Sequence, residues 1–433
     1  MADLISSVPF YETPAVGDLE TREILDQLID VADEESNMLS ILEYLGNMKG
    51  TANKQFFSYT NTFLYDTVAV SGTPTVTTSG VTVNVAAADG LKLRLGSVCM
   101  TANGVLLFVT AISTDAITMK TLSGSEALTN GQVLTVPTNA TGEGSSNGNS
   151  SPKTIVKRSN QTQIFENGLE VSDLLMAGRT EVKFENGEQH YFYKLQDDAF
   201  KTHRIDIANN HLVGQFGDST DANGNVVYFS RGLDNSIIDL GGVSQTTAAV
   251  GALTKADFAT FSRTLDKARS PKDGMLLTGG DFNVLIDDLF DTELAAGAID
   301  YGSYGVGSNA AKAVDLGINN FKVYGRNFEK SVLKQLDHVN VTAATGFQYP
   351  DLAYFIPKGQ VKGESGAMVD RICGRYLEFA SDEYINGRFH EKFLGGLAPT
   401  PTSRENLLEI RYTSHEAIEL NGTEHFGRLK IQR

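Results

Sequence analysis

NQTQIFENGLEVS, residues 160–172, is the stretch on which the reading of this chain turns. Ile164, Phe165, Leu169 and Val171 give its second half the texture of a strand. The approach to it, residues 157–163 (KRSNQTQ), is polar at every position. A strand resting on its own core alternates apolar and polar residues. A ribbon with no apolar side must find its partner groups elsewhere, and this reading places it across another copy of the same chain.

The segment upstream completes the picture. In residues 56–70 (FFSYTNTFLYDTVAV), Phe57, Tyr59, Asn61, Phe63 and Tyr65 fall on one side, opposite Ser58, Thr60 and Thr62. At ~3.3 Å per residue such a strand, if unbroken, reaches about 50 Å, more than the width of a small domain. Residues 71–150 change composition: seven of the eighty are charged, against 21% for the whole chain. Turn pairs recur at Ser79-Gly80, Asp89-Gly90, Asn103-Gly104, Thr114-Asp115 and Asn130-Gly131. Asn-Gly between β-rich runs, as in VCMTANGVLLFV, is a strong hairpin signal. A small all-β module, barrel or sandwich, is expected at 71–150, with 140–152 (ATGEGSSNGNSSP) as its tether. The whole excursion reads as a long hairpin arm, out at 54–70 and back at 153–166, carrying the module at its tip. An arm of this kind is not stable alone in water. Phe57, Tyr59, Phe63 and Tyr65 are the apolar candidates for contact with another copy, and Lys157, Arg158, Gln161 and Gln163 the polar ones.

The rest of the chain mixes helix and strand. Ile24, Leu25, Leu28 and Ile29, then Met38, Leu42 and Leu45, keep helical spacing, with Asp18 or Thr21 as a cap and a break near Ser36-Asn37. Residues 185–214 predict a long helix with Tyr193, Phe200 and Ile207 along one stripe, ending by Gly214. Thr254 and Asp257 predict a capping box for a helix carrying Phe258, Phe261 and Leu265. DGMLLTGG predicts a strand, and Asp281 a cap for the helix DFNVLIDDLF. FKVYG, LAYFIPKG and RICGRYLEFA predict strands, and residues 405–432 a hairpin turning at Asn421-Gly422. The fold class is α+β, with a separate small all-β domain inserted.

The totals exclude several classes. The chain has 433 residues, 41% of them hydrophobic, and a net charge of −17. Residues 1–50 hold eleven Asp and Glu against Arg22 and Lys49. No basic run offers a nucleic-acid footprint, and neither a secretion signal nor a run of 18 apolar residues is present. The two cysteines, Cys99 and Cys373, lie far apart and read as reduced thiols.

Candidate chemistry is absent. There is no phosphate-cradling G-x-x-x-x-G-K-[ST] loop, no C-x-x-C and no G-x-S-x-G. HEKF at 390 and HEAI at 415 lack the second histidine of a zinc helix. Residues 219–225 (STDANGN) imitate part of a calcium loop but lack its first anion and its final Glu, so a tight turn is expected. Asp197-Asp198 and Asp287-Asp288 are adjacent on predicted helices, pointing about 100° apart, and read as solvated faces. The glycines of YGSYGVGS (301–308) lack dinucleotide spacing. His203 and His211 stand two turns apart, too far to share one ion. No catalytic residue, cofactor or metal site is expected.

The order of elements (helical arm, hairpin excursion, long helix, α+β body) resembles the tailed-bacteriophage major capsid proteins of the Hong Kong 97 fold. The likeness is sharpest over 153–214, where NQTQIFENGLEVS leads through GRTEVKFENGEQ into the long helix, like an extended loop returning to a spine helix. One group in that family has a similar N-x-T-Q-I-F…V-S stretch and a β-rich insertion in the loop. MLLTGGDFNVLIDDLF and YFIPKG match more loosely. The resemblance implies an N-terminal arm at 1–50, an extended loop at 51–170, a spine helix and peripheral domain at 171–270, an axial domain at 271–400 and a return at 401–433. It implies hexamers and pentamers tiling an icosahedral head around packaged DNA, without sequence-specific DNA binding or a membrane, in virions made in a bacterial cytoplasm. Portal, scaffold and decoration proteins are the implied partners. The short acidic front is too small for a built-in scaffold. Lys153 and Lys157 lie in the arm, where some relatives cross-link covalently, but such a link is not expected here. The rival readings are another virion protein, such as a tail-tube or decoration protein, and a surface-adhesive β-protein.

Overall fold

The computed structural model of the chain describes residues 37–60, 66–86, 89–143, 156–177, 191–295, 320–338, 349–363, 366–378, 384–385, 388–399 and 401–432. Its two compact units are Ser58–Arg158, and Met1–Phe57 together with Ser159–Arg433.

The smaller unit holds a closed barrel of six strands: Asp66–Ser71, Val81–Val85, Ser97–Met100, Leu106–Ser113, Ala116–Thr121 and Val133–Asn139. Period-2 alternation fills it, since Val68, Val70, Val83, Leu107, Val109, Ile117, Met119 and Leu134 all point inward and form one core with Cys99. The Asn103-Gly104 hairpin joins strands paired Val98↔Phe108 and Met100↔Leu106, and Gly104 takes the positive φ of 81° that its turn requires. The barrel also claims residues 66–71, upstream of the composition change at 71, because Val68 and Val70 complete its core. The described strands of the outgoing segment are Gln55–Thr60 and Asp66–Ser71, and the residues between them, Phe63 and Tyr65 included, lie outside the described residues. Most of the tether at 140–152 and all of the helix expected near Ile24–Ile29 also lie outside them.

The larger unit is built on two sheets. In the first, the 14-residue strand Leu407–Leu420 pairs along Gln163–Ser172, and also with Phe389–Gly395 and Ile372–Leu377 in tandem. Met48–Thr51 adds in parallel to Ile372–Leu377, and Tyr384–Ile385 to Phe389–Gly395. The long helix Tyr191–Val213 covers this sheet: Phe200, Ile207 and Ala208 pack with Phe165, Phe389, Ile410 and Tyr412. Ile164, Glu166, Gly168 and Glu170 face outward in alternation, as a half-buried strand requires.

The second sheet runs Val243–Val250, Gly427–Gln432, Leu352–Pro357, Asp273–Thr278, Arg326–Val332, Asn320–Val323. Leu352–Pro357 is buried throughout because its alternate residues feed two cores. Ala353 and Phe355 pack with Phe258, Phe261, Phe282 and Ile286 of the helices Lys255–Lys267 and Gly280–Ala295. Leu352, Tyr354 and Ile356 face Met38, Leu42, Leu212, Leu233, Ile418 and Phe426.

Caps follow the local sequence. Asn37 caps the helix Met38–Tyr44 by accepting from the Ser40 amide at 2.8 Å, at the break read near Ser36-Asn37. Thr254 and Asp257 form the expected capping box: the Asp257 carboxylate accepts from the Thr254 amide at 3.0 Å, and the Thr254 hydroxyl from the Asp257 amide at 3.3 Å. Thr254→Ala is expected to cost about 1 kcal/mol, read by urea denaturation of the full chain. Asp281 does not cap the following helix. That helix starts at Gly280, whose amide is taken by Asp337 at 2.7 Å, a distant partner with no local signature.

The expected terminal hairpin is corrected as well. The turn is where Asn421-Gly422 put it, with Gly422 at φ 72°, but its two strands do not pair. Leu407–Leu420 stays in the first sheet, while Gly427–Gln432 enters the second between Val243–Val250 and Leu352–Pro357. The strands of the stretch 271–400 are shared between the two sheets.

Candidate intersubunit surface

Gln55–Thr60 and Val156–Gln161 pair as a separate two-stranded ribbon. Along the outgoing strand exposure alternates strictly, because the ribbon's pleat turns successive residues to opposite faces. Phe57 and Tyr59 occupy one face at 42% and 65% exposure, while Phe56, Ser58 and Thr60 occupy the other and are half-buried. Lys157 is exposed on the returning strand.

The polar residues of the returning strand make hydrogen bonds within their own chain. Arg158 is buried and its Nε donates to the Thr60 hydroxyl at 3.1 Å. Asn160 Nδ2 donates to the carbonyls of Ile418 and Arg231, at 2.7 and 3.0 Å, and its Oδ1 accepts from the Arg231 amide. Gln161 Nε2 reaches the Gly217 carbonyl at 3.0 Å and Asp218 Oδ1 at 2.7 Å. Gln163 Oε1 accepts from the Ser230 amide at 3.2 Å. Asn160, Gln161 and Gln163 of the run without an apolar face thus bond backbone groups of residues 217–231 and Ile418 instead of packing on a core. Gln161 and Gln163 are engaged in their own chain, as is Arg158. Phe57 and Tyr59 are exposed. Lys54 adds an anchor below them, its Nζ 3.0 Å from the centre of the Tyr228 ring.

A second cluster was not read from the sequence. Arg388 grips Glu416 twice, Nε to Oε1 at 2.6 Å and Nη2 to Oε2 at 2.9 Å, and also bonds Glu43 of the first helix. Arg204 of the long helix holds the other Glu43 oxygen at 2.8 Å. Glu416 is fully buried, and burial pushes its carboxyl up against the opposing pull of Arg388. His211, also fully buried, sits with Nε2 3.9 Å from Glu416 and has no hydrogen-bond partner among the described residues. Burial, and then the charge of Arg388, lowers its pKa to about 3. His203, buried between Asn167 at 2.7 Å and Ser414 at 2.9 Å, falls to about 4, chiefly through burial. The one legible signal was Glu416, a charged residue in phase with Leu408, Ile410 and Tyr412 on the inward face.

Asp221 closes a tight turn, accepting from the amides of Asn223 and Asn225 at 2.9 and 2.8 Å. Asp198 and Asp197 pair with Lys194 and Lys201 one turn away, as solvated faces do. No group of three metal-ligating side chains occurs among the described residues. No described helix is long and apolar enough to cross a membrane.

Residues 11–316 match the family described as SU10 major capsid protein. Among solved structures, the chain is similar to the cyanophage A-1(L) capsid protein, at 11% identity and TM-score 0.49, covering 96% of this chain and 98% of that one. It is also similar to that of cyanophage P-SCSP1u, at 12% identity and TM-score 0.45, covering 98% and 96%. No curated protein matches the sequence.

Proposed function

The chain belongs to the SU10 major capsid protein family, and from that premise we propose that its copies clasp one another through the aromatic face of the ribbon. As a phage major capsid protein it is a structural component of the virion that assembles with copies of itself. In this proposal the copies form hexamers and pentamers of a Hong Kong 97-type icosahedral shell around packaged DNA, after synthesis in the host cytoplasm. A separate scaffold protein, a portal and a decoration protein complete the head. Net charge near −17 leaves the packaged DNA enclosed rather than gripped. The reading includes no catalytic step.

The observation that carries the clasp is a division of labour on one ribbon. Its Gln161 and Gln163 bond within their own chain, whereas Phe57 and Tyr59 on the outgoing strand are 42% and 65% exposed. Burying two such aromatics contributes roughly 2–4 kcal/mol per contact at ~25 cal/mol per Å², and every copy both gives and receives. A heterologous contact of this kind propagates into closed rings.

Deleting 54–166 is a poor test, because it also removes Asn160, Gln161 and Phe165 from the body they brace. Phe57→Ser with Tyr59→Ser is the cleaner one. The double variant is expected to keep the parent melting temperature within about 2 °C, since exposed sites contribute little to the fold. It should fail to form particles in negative-stain images and sedimentation. Normal particles from a folded double variant would remove the ribbon from the assembly.

A further inference from the structure

Three buried arginines of this chain come with a carboxylate. Arg326, Arg388 and Arg428 hold Asp266, Glu416 and Asp234 at 2.6, 2.6 and 2.5 Å. Arg371, just before the strand Ile372–Leu377, breaks the pattern. It is 8% exposed, as deeply placed as Arg388. Among the described residues its side chain makes one hydrogen bond, from Nη1 to His425 Nδ1 at 2.9 Å. Its Nε is buried without a partner. Burial lowers the guanidinium below its ordinary value, and no neighbouring acid opposes that.

The pair is held in place from both sides. The Asn421 amide donates to the Arg371 carbonyl at 2.8 Å, and the Ser270 hydroxyl to the His425 carbonyl at 2.7 Å. An arginine has no acceptor, so His425 Nδ1 accepts, and the neutral ring carries its proton on Nε2. Burial and then the charge of Arg371 lower the pKa of His425, in keeping with that state, while Glu424 pulls the other way. A neutral imidazole orients the guanidinium without discharging it.

A buried cation without a counter-charge is costly until a partner reaches it. With Nη1 committed to His425, the edge formed by Nε and Nη2 remains. That edge of the fork takes two oxygens of a carboxylate or phosphate side by side. So small an opening admits the tip of one group and not an extended surface. We propose that Arg371, oriented by His425, receives one oxyanion from outside its own chain: a carboxylate of a second copy or a free inorganic anion. The second-copy source rests on the capsid assignment, whereas the anion site does not.

Melting of the full-length chain before assembly, in sodium chloride and in sodium phosphate at equal ionic strength, tests the site. Phosphate should raise the parent's melting temperature saturably by about 2 °C more than it raises that of Arg371→Met. The comparison removes the general stabilising effect of phosphate, which both proteins share. In chloride alone Arg371→Met should melt at or above the parent, because it deletes a buried charge that nothing balances. A guanidinium that only braces the fold predicts the reverse. Arg371→Lys keeps the charge but not the fork, and its phosphate gain should fall between the two. A Met variant that melts below the parent in chloride, or that gains as much from phosphate, overturns the proposal. Assembled particles then separate the sources. If a neighbour's carboxylate fills the site, phosphate gives parent particles no added gain over Arg371→Met particles; if a free ion fills it, the gain persists. Failure of the parent to form particles counts against the capsid assignment alone and leaves the melting comparison intact.

Discussion

Arg388→Ala is expected to cost about 3–5 kcal/mol of stability, because it leaves a fully buried carboxylate without its partner. Arg388 is the only described cation holding Glu416 in a bidentate grip, and it also neutralises Glu43. Removing it strands Glu416 at a site with no solvent and weakens the tie between the first helix and the sheet. Arg388→Met combined with Glu416→Leu is expected to recover most of the loss, since apolar residues of similar volume need no counter-charge. Urea denaturation of the four members of this cycle measures the coupling. A single-variant loss below ~1 kcal/mol would show that the pair is held loosely and hydrated, contrary to the burial described here.

The second large effect is acid sensitivity. His203 and His211 are both buried on the long helix, with pKa values lowered to about 4 and about 3. The folded chain keeps them neutral at a pH where the unfolded chain, with an ordinary value near 6.5, takes up protons. Their stabilisation is therefore complete above pH ~6.5 and is lost as pH falls toward the folded values. At pH ~5 each histidine accounts for about 2 kcal/mol, so the pair removes roughly 4 kcal/mol relative to pH ~7.5. The charges facing His211 are Glu416 from the strand, Arg388 from the adjoining turn and, through it, Glu43 from the first helix. Facing His203 are Asp206 and Arg388. His211→Leu should lower the pH 7.5-to-5 difference by about half. Equal slopes for the variant and the parent would place the acid response elsewhere.

How much of this was legible depended on how local each cause was. The capping box at Thr254, the turn glycines of the barrel and the alternation in Leu407–Leu420 are set by residues a few positions apart, and the sequence shows them directly. The ribbon was half legible. Its aromatic face follows from period two, but the destination of its polar residues depends on backbone groups at 217–231, which no pattern in 157–163 encodes. The cap of Gly280 by Asp337 and the grip of Arg388 on Glu416 are long-range; the phase of Glu416 is visible in the sequence, but no local residue names the partner in either case. The terminal hairpin was misread for a related reason. Asn421-Gly422 announces a reversal, yet whether two strands pair after it is decided by which sheet has an open edge.

That crossing of the final strand has a consequence for the order of synthesis. Gly427–Gln432 fills the slot between Val243–Val250 and Leu352–Pro357, and Phe426, Leu429 and Ile431 plug both cores there. While the ribosome is still short of this strand, the earlier strands wait with a gap in their midst. A nascent chain that stops short of Gln432 lacks the strand between them, and is expected to offer no finished surface to its siblings until translation has passed that residue.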